Sequence, residues 1–476
     1  MKAKKVIVFG LDGASFELLN KFGIENFPNI KKVMKKGVYS DMKVCLPPVT
    51  SPNWKCYSTG KNPGKLGIFW WENIDVENEK VVHPRNRFNN NKEIWDYLND
   101  KNIPVGVMNM ATTYPPKKIK EFLISGNPDA GSNYTYPKKL KKELKEKFDY
   151  RIITPKANPD IYSKREISNS IFETIDMRFK AFKYLYKKYP NIKFFHLSIF
   201  HINTLQHNYW DHEYTKKGWK IIDKHIEEFV EDPEVDLIFM SDHGSHKIDY
   251  KFNINTWLED NGYLKTKKSK EKNFLSQSKI AKVIKKMGID PMSVKPYIPQ
   301  FVMNLFPEKS GEVKKEEKTD AVDWNKTKAL ASGQGPVYIK KENVENYKEF
   351  REKLKGEIEK IKNPKTDRKI AKNVYFKEEL YSGKYLKEAP DLIIDTSRGV
   401  FISGGIGKKD LFEKPKKWKG ENKPTGFFMA QGPDFKKNKK IKNMHILDIA
   451  PTILNLFNIK KPKDLDGEVK NEFLVS

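Results

Sequence analysis

The chain has 476 residues, of which 38% are hydrophobic and 32% charged, and its formal net charge is +28. A single hydrophobic core rarely stays compact far beyond about 300 residues, so this length predicts one large α/β domain with insertions, or two lobes. No apolar run approaches the roughly 20 residues of a membrane-spanning helix, so no transmembrane segment is expected.

The positive charge comes almost entirely from lysine, which supplies 82 of the 90 basic residues. A basic surface attracts anions such as nucleic acid, an anionic membrane or phosphorylated substrates. Nucleic-acid recognition, however, favours arginine for bidentate and stacked contacts. Surfaces rich in lysine and glutamate are also a habit of hyperthermophile proteins. We therefore interpret the charge as compositional, with nucleic-acid binding as an alternative that is not favoured.

The N-terminus is short and basic, and six apolar or small residues follow at positions 6–11 before Asp12. The hydrophobic segment of a secretory signal has about 7–15 residues and leads to a small-residue cleavage site. Here an acidic residue interrupts the run, so the sequence predicts a buried first strand and a cytoplasmic protein. Two cysteines, Cys45 and Cys56, are too few for a disulfide framework.

Apolar runs typical of buried parallel strands occur at residues 6–11, 104–110, 192–200, 235–240 and 391–395. A short helix is predicted at residues 29–36. Two longer helices are predicted from apolar residues that recur every three or four positions, one between 167 and 182 and one between 219 and 229. Strands that alternate with helices predict an α/β fold with a mostly parallel central sheet, covered by helices on both faces.

Two segments interrupt this alternation. Residues 137–151 are rich in lysine and tyrosine and indicate a surface excursion. Residues 265–320 are rich in lysine, lack strand signals and show weak helical periodicity, which indicates an inserted, helical cap. We therefore divide the chain into a first part of the core (1–264), the cap (265–320) and a second part of the core (321–476).

Polar residues directly follow two of the predicted strands. Asp12 and Gly13 come after the first, and Asp242 and His243 come after the strand at 235–240. In open α/β sheets, ligands bind outside the carboxyl ends of the strands, and zinc accepts both carboxylate oxygen and imidazole nitrogen. An Asp-Gly pair is most often a plain turn. The matching placement of both motifs favours a metal site.

Thr50 precedes Ser51 and Pro52, a pair that suits the opening of a helix because proline is tolerated in the first turn. The hydroxyl of Thr50 has two interpretations. It can cap the helix, or it can be a nucleophile whose phosphorylated form is held by the amides of the helix N-terminus. This segment alone favours capping.

These motifs together resemble the alkaline phosphatase superfamily, and in particular its type I phosphodiesterase/nucleotide pyrophosphatase branch. The resemblance is carried by the early Asp-Gly, by Thr-Ser-Pro-Asn at 50–53 and by Ser-Asp-His-Gly at 241–244. Further matches follow in the same order at residues 59–69, 113–116, 206–210, 322–327 and 448–467. The resemblance implies the α/β fold of that superfamily over almost the whole chain.

By this resemblance, Thr50 would be the nucleophile of a reaction that passes through a phospho-threonine intermediate. One divalent metal would be held by Asp12, Asp242 and His243, and would lower the pKa of the hydroxyl. Zinc is the expected ion, with manganese or magnesium as alternatives.

The second metal of the family would be held by Asn203, His207 and Asn422. The family has Asp and His where this chain has the two asparagines. A neutral amide oxygen is a weak zinc ligand, so one tight site and one weakened site are expected. The motifs exclude the sister sulfatase branch, because Val49 stands where its Cys-x-Pro-x-Arg segment requires arginine.

Three further histidines, His201, His212 and His246, lie near these motifs in the sequence and are candidate substitutes for the missing ligands. Each is more often an ordinary polar residue than a ligand.

The sequence therefore predicts a metal-dependent phosphohydrolase that cleaves a phosphodiester or pyrophosphate bond of a small phosphorylated substrate. The main alternative is a degenerate member that binds an anionic ligand or partner without catalysis. A third hypothesis is nucleic-acid binding through residues 265–318, which predicts steep salt dependence. No pattern in the sequence indicates the particular substrate or the oligomeric state.

Overall fold

The computed structural model describes residues 5–158, 161–267 and 319–475. The strands of these residues are β1 (Lys5–Leu11), β2 (Val38–Lys43), β3 (Asn73–Asp75), β4 (Lys80–Val82), β5 (Val105–Met110), β6 (Glu121–Ser125), β7 (Thr135–Tyr136), β8 (Phe194–Ile199), β9 (Val235–Met240), β10 (Gly244–Lys247), β11 (Tyr250–Asn253), β12 (Ala329–Ala331), β13 (Pro336–Ile339), β14 (Ala371–Phe376), β15 (Leu392–Thr396), β16 (Val400–Ser403), β17 (Phe412–Glu413), β18 (Gly420–Lys423), β19 (Thr425–Gln431), β20 (Lys439–Lys440) and β21 (Met444–His445). The α-helices are α1 (Phe16–Phe22), α2 (Pro28–Lys36), α3 (Thr50–Thr59), α4 (Pro63–Leu66), α5 (Ile94–Asp100), α6 (Lys139–Phe148), α7 (Lys164–Lys188), α8 (His201–Tyr209), α9 (Glu213–Val230), α10 (Ile254–Asp260), α11 (Tyr347–Lys360), α12 (Lys377–Leu380) and α13 (Ile449–Leu456).

The largest sheet has ten strands. Nine of them follow the order β20-β2-β19-β9-β1-β8-β5-β6-β7, and β21 also pairs with β2. The central strands β9, β1, β8, β5 and β6 run parallel, whereas β19 lies antiparallel between β9 and β2. The prediction of a mostly parallel central sheet is confirmed.

The residues of β1 show why this sheet needs cover on both sides. Ile7 and Phe9 pack into a core with α2, α7 and α9 on one face. Val6 and Val8 pack into a second core with α3, α5 and α13 on the other. Because side chains alternate between the faces of a strand, a continuous apolar run is the pattern expected for burial on both faces.

The longest described helix, α7, has 25 residues and begins with a capping box. The Ser163 side chain accepts a hydrogen bond from the amide of Glu166, and the Glu166 carboxylate accepts one from the amide of Ser163. The predicted apolar stripe, which includes Ile171 and Phe179, is buried. Within the part of the chain that the structure describes, no helix has the length and apolar character needed to cross a bilayer.

A smaller antiparallel sheet, ordered β12-β13-β15-β14, has a hydrophobic core of its own. The strand predicted at residues 391–395 lies in this sheet as β15, so its assignment to the parallel core is wrong. An apolar run predicts burial on both faces, but it does not identify the strands with which it pairs.

The sequence predicted two segments that interrupt the alternation of strands and helices, and the structure tests only one of them. Residues 137–151 include α6, whose Leu140 and Leu144 are buried in the first core. The prediction of a purely surface excursion is therefore wrong, because the abundant lysines hide a narrow apolar stripe. The predicted cap at 265–320 lies almost entirely outside the described residues, so the domain boundaries drawn around it stay predictions.

The sheet gathers the predicted site residues at one edge. Asp12 follows β1, the helix α8 follows β8, and Asp242 follows β9, all at the carboxyl ends of adjacent parallel strands. The helix α3 follows β2, which runs in the same direction. Asn422 reaches this edge from the opposite direction, on β18 just before the antiparallel strand β19.

A buried ion pair joins α3 to α5. All ten residues of α3 are buried, including Lys55, whose ammonium lies 2.7 Å from the carboxylate of Glu93. The ammonium of Lys117 lies 2.8 Å from the other oxygen of Glu93. Burial tends to raise the pKa of Glu93, but Lys55 and Lys117 together outweigh it and lower the pKa. Glu93 is therefore ionised, and it is the anionic partner of both Lys55 and Lys117.

We expect Glu93→Ala to lower the free energy of unfolding by about 3–5 kcal/mol, because it leaves a buried ammonium without its partner. Urea denaturation measures the change. The matched control is Asp100→Ala, which breaks the exposed Lys92–Asp100 pair and should cost less than about 1 kcal/mol. Equal losses in the two variants would contradict the role of Glu93.

Candidate active site

Asp12 is fully buried at the end of β1, and its two oxygens differ. Oδ2 accepts a hydrogen bond from the indole Nε1 of Trp54 at 3.0 Å. Oδ1 has no hydrogen-bond partner among the described residues. Burial raises the pKa of Asp12 well above its usual range, and the neighbouring Asp242 raises it further.

Asp242 is oriented by the backbone of the β1 turn. Its Oδ1 accepts a hydrogen bond from the amide of Gly13 at 3.2 Å. Its Oδ2 makes no hydrogen bond to the described part of the chain and lies 3.2 Å from Nε2 of His243. Burial raises the pKa of Asp242 to about 7.

His243 completes the cluster with a defined tautomer. Its Nδ1 lies 3.0 Å from the carbonyl oxygen of Gly244, which can only accept, so Nδ1 carries the proton. Burial lowers the pKa of His243, which keeps the ring neutral. Its Nε2 lone pair therefore faces the carboxylates, 3.6 Å from Oδ1 of Asp12.

These three side chains fit a divalent cation. The ligand atoms of Asp12, Asp242 and His243 lie within 4.8 Å of one another. Zinc accepts both donor types of this set, carboxylate oxygen and imidazole nitrogen, and its catalytic sites have three protein ligands. Buried polar atoms are rarely left without partners, so the unpartnered oxygens of Asp12 and Asp242 indicate a site built for an ion.

Thr50 lies beside this cluster as the first residue of α3. Its hydroxyl donates to Nε2 of His243 at 3.1 Å. The N-cap residue is Val49, and no side chain caps the helix. The capping interpretation, which the sequence segment alone favoured, is therefore wrong, because the hydroxyl points into the cluster instead of back to the backbone.

The three residues predicted to hold a second metal also lie together, but they are arranged differently. His207 donates from Nδ1 to the carbonyl of Gly420 at 2.7 Å, and its Nε2 accepts from the amide of Asn203 at 3.1 Å. The Asn422 Oδ1 is buried without a partner in the described residues. The ring of His207 stacks on Trp418 with centroids 3.8 Å apart.

This second group does not fit a second zinc ion as it stands. It contains no carboxylate, and Nε2 of His207 accepts from the amide N–H of Asn203, which offers an ion no lone pair, whereas the hydroxyl on Nε2 of His243 does. The neighbouring carboxylate of Glu421 is held by the side chains of Gln334 and Trp418 and by the amide of Asn422. Burial raises the pKa of Glu421 to about 7.

Each of the three candidate substitutes for the missing ligands of the second group has surroundings of its own. His212 accepts from the amide of Tyr214 at the start of α9. His246 accepts from the amide of Gly399. The ring of His201 is buried and packs edge-on against Phe200.

A cavity of about 600 Å³ opens next to these groups. Its walls combine aromatic side chains with charged residues, with Thr50 and with the polar residues of the second group; they include Trp70, Trp71, Phe401, Trp418, Lys251, Lys408, Glu72, Glu421, Thr50, Asn203, His207 and Asn422. Such a mixture of apolar walls and a few polar groups is typical of small-ligand sites.

Two indoles in this cavity are fixed by one hydrogen-bonded pair. Trp70 donates from Nε1 to the Gln334 side chain at 3.0 Å, and Gln334 donates to Glu421 at 2.6 Å. Trp418 donates to the other oxygen of Glu421 at 3.1 Å. None of these four residues was predicted from the sequence. The adjacent tryptophans at 70 and 71 were a signal, but nothing local connects them with Glu421.

Asn53 is a second residue whose role only the structure shows. Its Oδ1 accepts from the amide of Cys45 at 2.9 Å, and its Nδ2 donates to the carbonyls of Cys45, Pro47 and Val49. The side chain thus fastens the loop that leads into the helix of Thr50. The family motif includes this asparagine, but the motif does not state its task.

The fold and the site together indicate a phosphohydrolase: an α/β protein with a buried hydroxyl beside an Asp/Asp/His cluster at the carboxyl edge of a parallel sheet. The model of the family "Type I phosphodiesterase / nucleotide pyrophosphatase" matches residues 6–427. The chain belongs to this family, which consists of hydrolases acting on phosphoric ester bonds. The family and the enzyme class predicted from the motifs are confirmed.

Two solved structures are similar to the chain over nearly its whole length. Human ectonucleotide pyrophosphatase/phosphodiesterase 5 has 15% identity and a TM-score of 0.55, with 99% of this chain and 100% of that chain covered. The murine protein of the same name has 15% identity, a TM-score of 0.52 and the same coverage. At this identity the likeness shows a shared fold. None of the curated proteins matches the chain.

We expect Asn53→Ala to lower the free energy of unfolding by about 1–3 kcal/mol, because buried backbone groups of the loop lose their partner. Urea denaturation measures it. The control is Asn78→Ala, which removes an exposed amide bonded to Asp75 and should change stability by less than about 0.5 kcal/mol. The idea fails if both variants unfold at the urea concentration of the wild type.

Proposed function

We propose that the protein hydrolyses a phosphodiester or pyrophosphate bond of a small phosphorylated substrate, with Thr50 as the nucleophile. Asp12, Asp242 and His243 would hold one divalent cation, for which zinc fits the donor set. The observation that carries the proposal is the hydroxyl of Thr50, 3.1 Å from Nε2 of His243 and at the wall of the cavity.

In the first half of the reaction, Oγ1 of Thr50 attacks phosphorus, and the bond between phosphorus and the leaving oxygen breaks. The hydroxyl proton is lost to solvent, and the leaving oxygen gains one. In the second half, water replaces Thr50 on phosphorus and frees the hydroxyl. The cation, when bound, lowers the pKa of the hydroxyl and offsets developing negative charge.

The chain's own groups support this sequence of steps. Thr50 begins a ten-residue helix, and the positive end of a helix dipole attracts a phosphoryl group. The aromatic walls of the cavity favour a substrate with a flat apolar part, and Lys251 and Lys408 favour one with negative charge.

The alternative of a non-catalytic member that binds an anion is supported by the second group. With His207 engaged by Asn203 and with no carboxylate among its ligands, the group lacks what a second cation would supply to the attacking water. Hydrolysis by the wild type separates the alternatives, because an anion-binding protein would hold metal and ligand without turnover.

We expect Thr50→Ala to reduce hydrolysis of bis(p-nitrophenyl) phosphate by at least about 10³-fold, because the variant lacks the oxygen that attacks phosphorus. The metal content should stay that of the wild type. Thr50→Ser is the matched control, since it keeps the hydroxyl and should keep part of the activity. Activity of Thr50→Ala near the wild-type level would eliminate Thr50 as the nucleophile.

We expect the wild type to bind about one tightly held zinc ion per chain, because the described residues contain one complete set of three ligands. Asn203→Asp combined with Asn422→His should create a second site and accelerate hydrolysis. The gain should exceed that of either single change, since both ligands serve one ion. Elemental analysis and kinetics measure these results.

Asp242→Asn is the control for the first site, and it should remove the ion that the wild type holds. Two zinc ions per wild-type chain would contradict the weakened second site.

A further inference from the structure

The helix that carries the candidate nucleophile also carries the group that orients a candidate metal ligand. Trp54 lies four positions after Thr50 on α3, so both side chains leave the helix on the same side. The indole Nε1 of Trp54 donates to Oδ2 of Asp12 at 3.0 Å, and both residues are buried. This bond occupies one carboxylate oxygen and leaves Oδ1 facing His243.

A glycine in β1 makes room for this indole. A Cβ atom on Gly10 would lie 2.5 Å from Cη2 and 2.8 Å from Cζ3 of Trp54. Real Cβ atoms are not found this close to other heavy atoms, so any side chain at position 10 would displace the ring. The indole therefore rests on the bare backbone of the strand that ends at Asp12.

The rear of the indole is supported by a hydrogen-bonded histidine. The ring of His196 on β8 meets Trp54 edge-on, with centroids 6.0 Å apart and an interplanar angle of 85°. Nδ1 of His196 is bonded to the hydroxyl of Tyr57 at 3.0 Å, and Nε2 to the hydroxyl of Ser198 at 2.7 Å. Tyr57 also packs edge-on against Trp54, so the orientation of the ring is defined by α3, β1 and β8 together.

We propose that Trp54 is a positioning residue for the metal site, which acts through Asp12 and couples it to the helix of the nucleophile. This inference rests on the proposed function, in which Asp12 binds the cation. Groups that hydrogen-bond to metal ligands fix their orientation, and their loss typically weakens metal affinity by about 10–100-fold. Without the indole N–H, Oδ2 of Asp12 would be a second buried oxygen without a partner, and the carboxylate would be free to rotate.

The test compares Trp54→Phe with Trp219→Phe in the full-length protein. Trp219 is also fully buried, but its indole nitrogen has no hydrogen-bond partner in the described structure, and it packs on the other face of the sheet. Zinc affinity is measured by competition with a chromogenic chelator. Trp54→Phe should raise the Kd for zinc at least about ten-fold, and Trp219→Phe should leave it unchanged.

Gly10→Ala provides a second variant, which keeps tryptophan at position 54 but displaces its ring, and it should also raise the Kd for zinc. At saturating zinc, Trp54→Phe should lower kcat while KM stays near the wild-type value, because the substrate walls are untouched. A wild-type Kd in Trp54→Phe would overturn the inference and leave the proposed function standing. A wild type that binds no divalent ion would overturn both.

Discussion

Two carboxylates, Asp12 and Asp242, are buried side by side with a neutral imidazole between them. Their burial raises the pKa of both, since neither charge is balanced by the protein around it. A cluster of this kind is costly to fold without a compensating charge. The parallel register of β1 and β9, the amide of Gly13 and the indole of Trp54 all serve to hold this arrangement in place.

Much of the fold and part of the candidate site could be predicted from the sequence, for a physical reason. Strands buried on both faces are continuous apolar runs, and a polar residue directly after such a run must lie at the edge of the sheet. Asp12 and Asp242 could be placed in this way. The side chain of Thr50 could not, because a hydroxyl at the start of a helix has a local use as a cap and a distant use across the sheet. Only the contact with His243, 193 positions away, distinguishes them.

The parts that escaped prediction are those fixed by distant contacts. The apolar run of β15 does not predict which strands pair with it, and only the structure shows that they are β13 and β14. Trp54 reads as an ordinary core residue until Gly10 and Asp12 are placed around it. Likewise, Gln334 and Glu421 are 87 positions apart and become a pair only in the folded chain.

The second half of the site differs from the first in its physics. The first half contains two carboxylates, whereas the groups around His207 and Asn422 are side-chain amides and stacked aromatic rings. His207 is hydrogen-bonded within the chain at both ring nitrogens, although Oδ1 of Asn422 has no partner among the described residues. The proposed chemistry therefore depends on one charged centre. The aromatic cleft beside it can select substrates by their shape.

The position of β19 has a consequence for how this protein is made. The strand is inserted between β2 and β9, where Phe428 pairs with Met240. A nascent chain that has just completed β9 therefore still lacks β19, the strand that connects β9 to β2 in the finished sheet. At translation rates of about 5–20 residues per second, the roughly 190 residues up to the end of β19 take about 10–40 s to appear. During that interval the apolar strand β9 presents an open edge, which is a template for pairing with other chains. The sheet that carries the site is therefore completed only when β19 has been synthesised. Until then, folding depends on keeping the free edge of β9 from pairing with other chains.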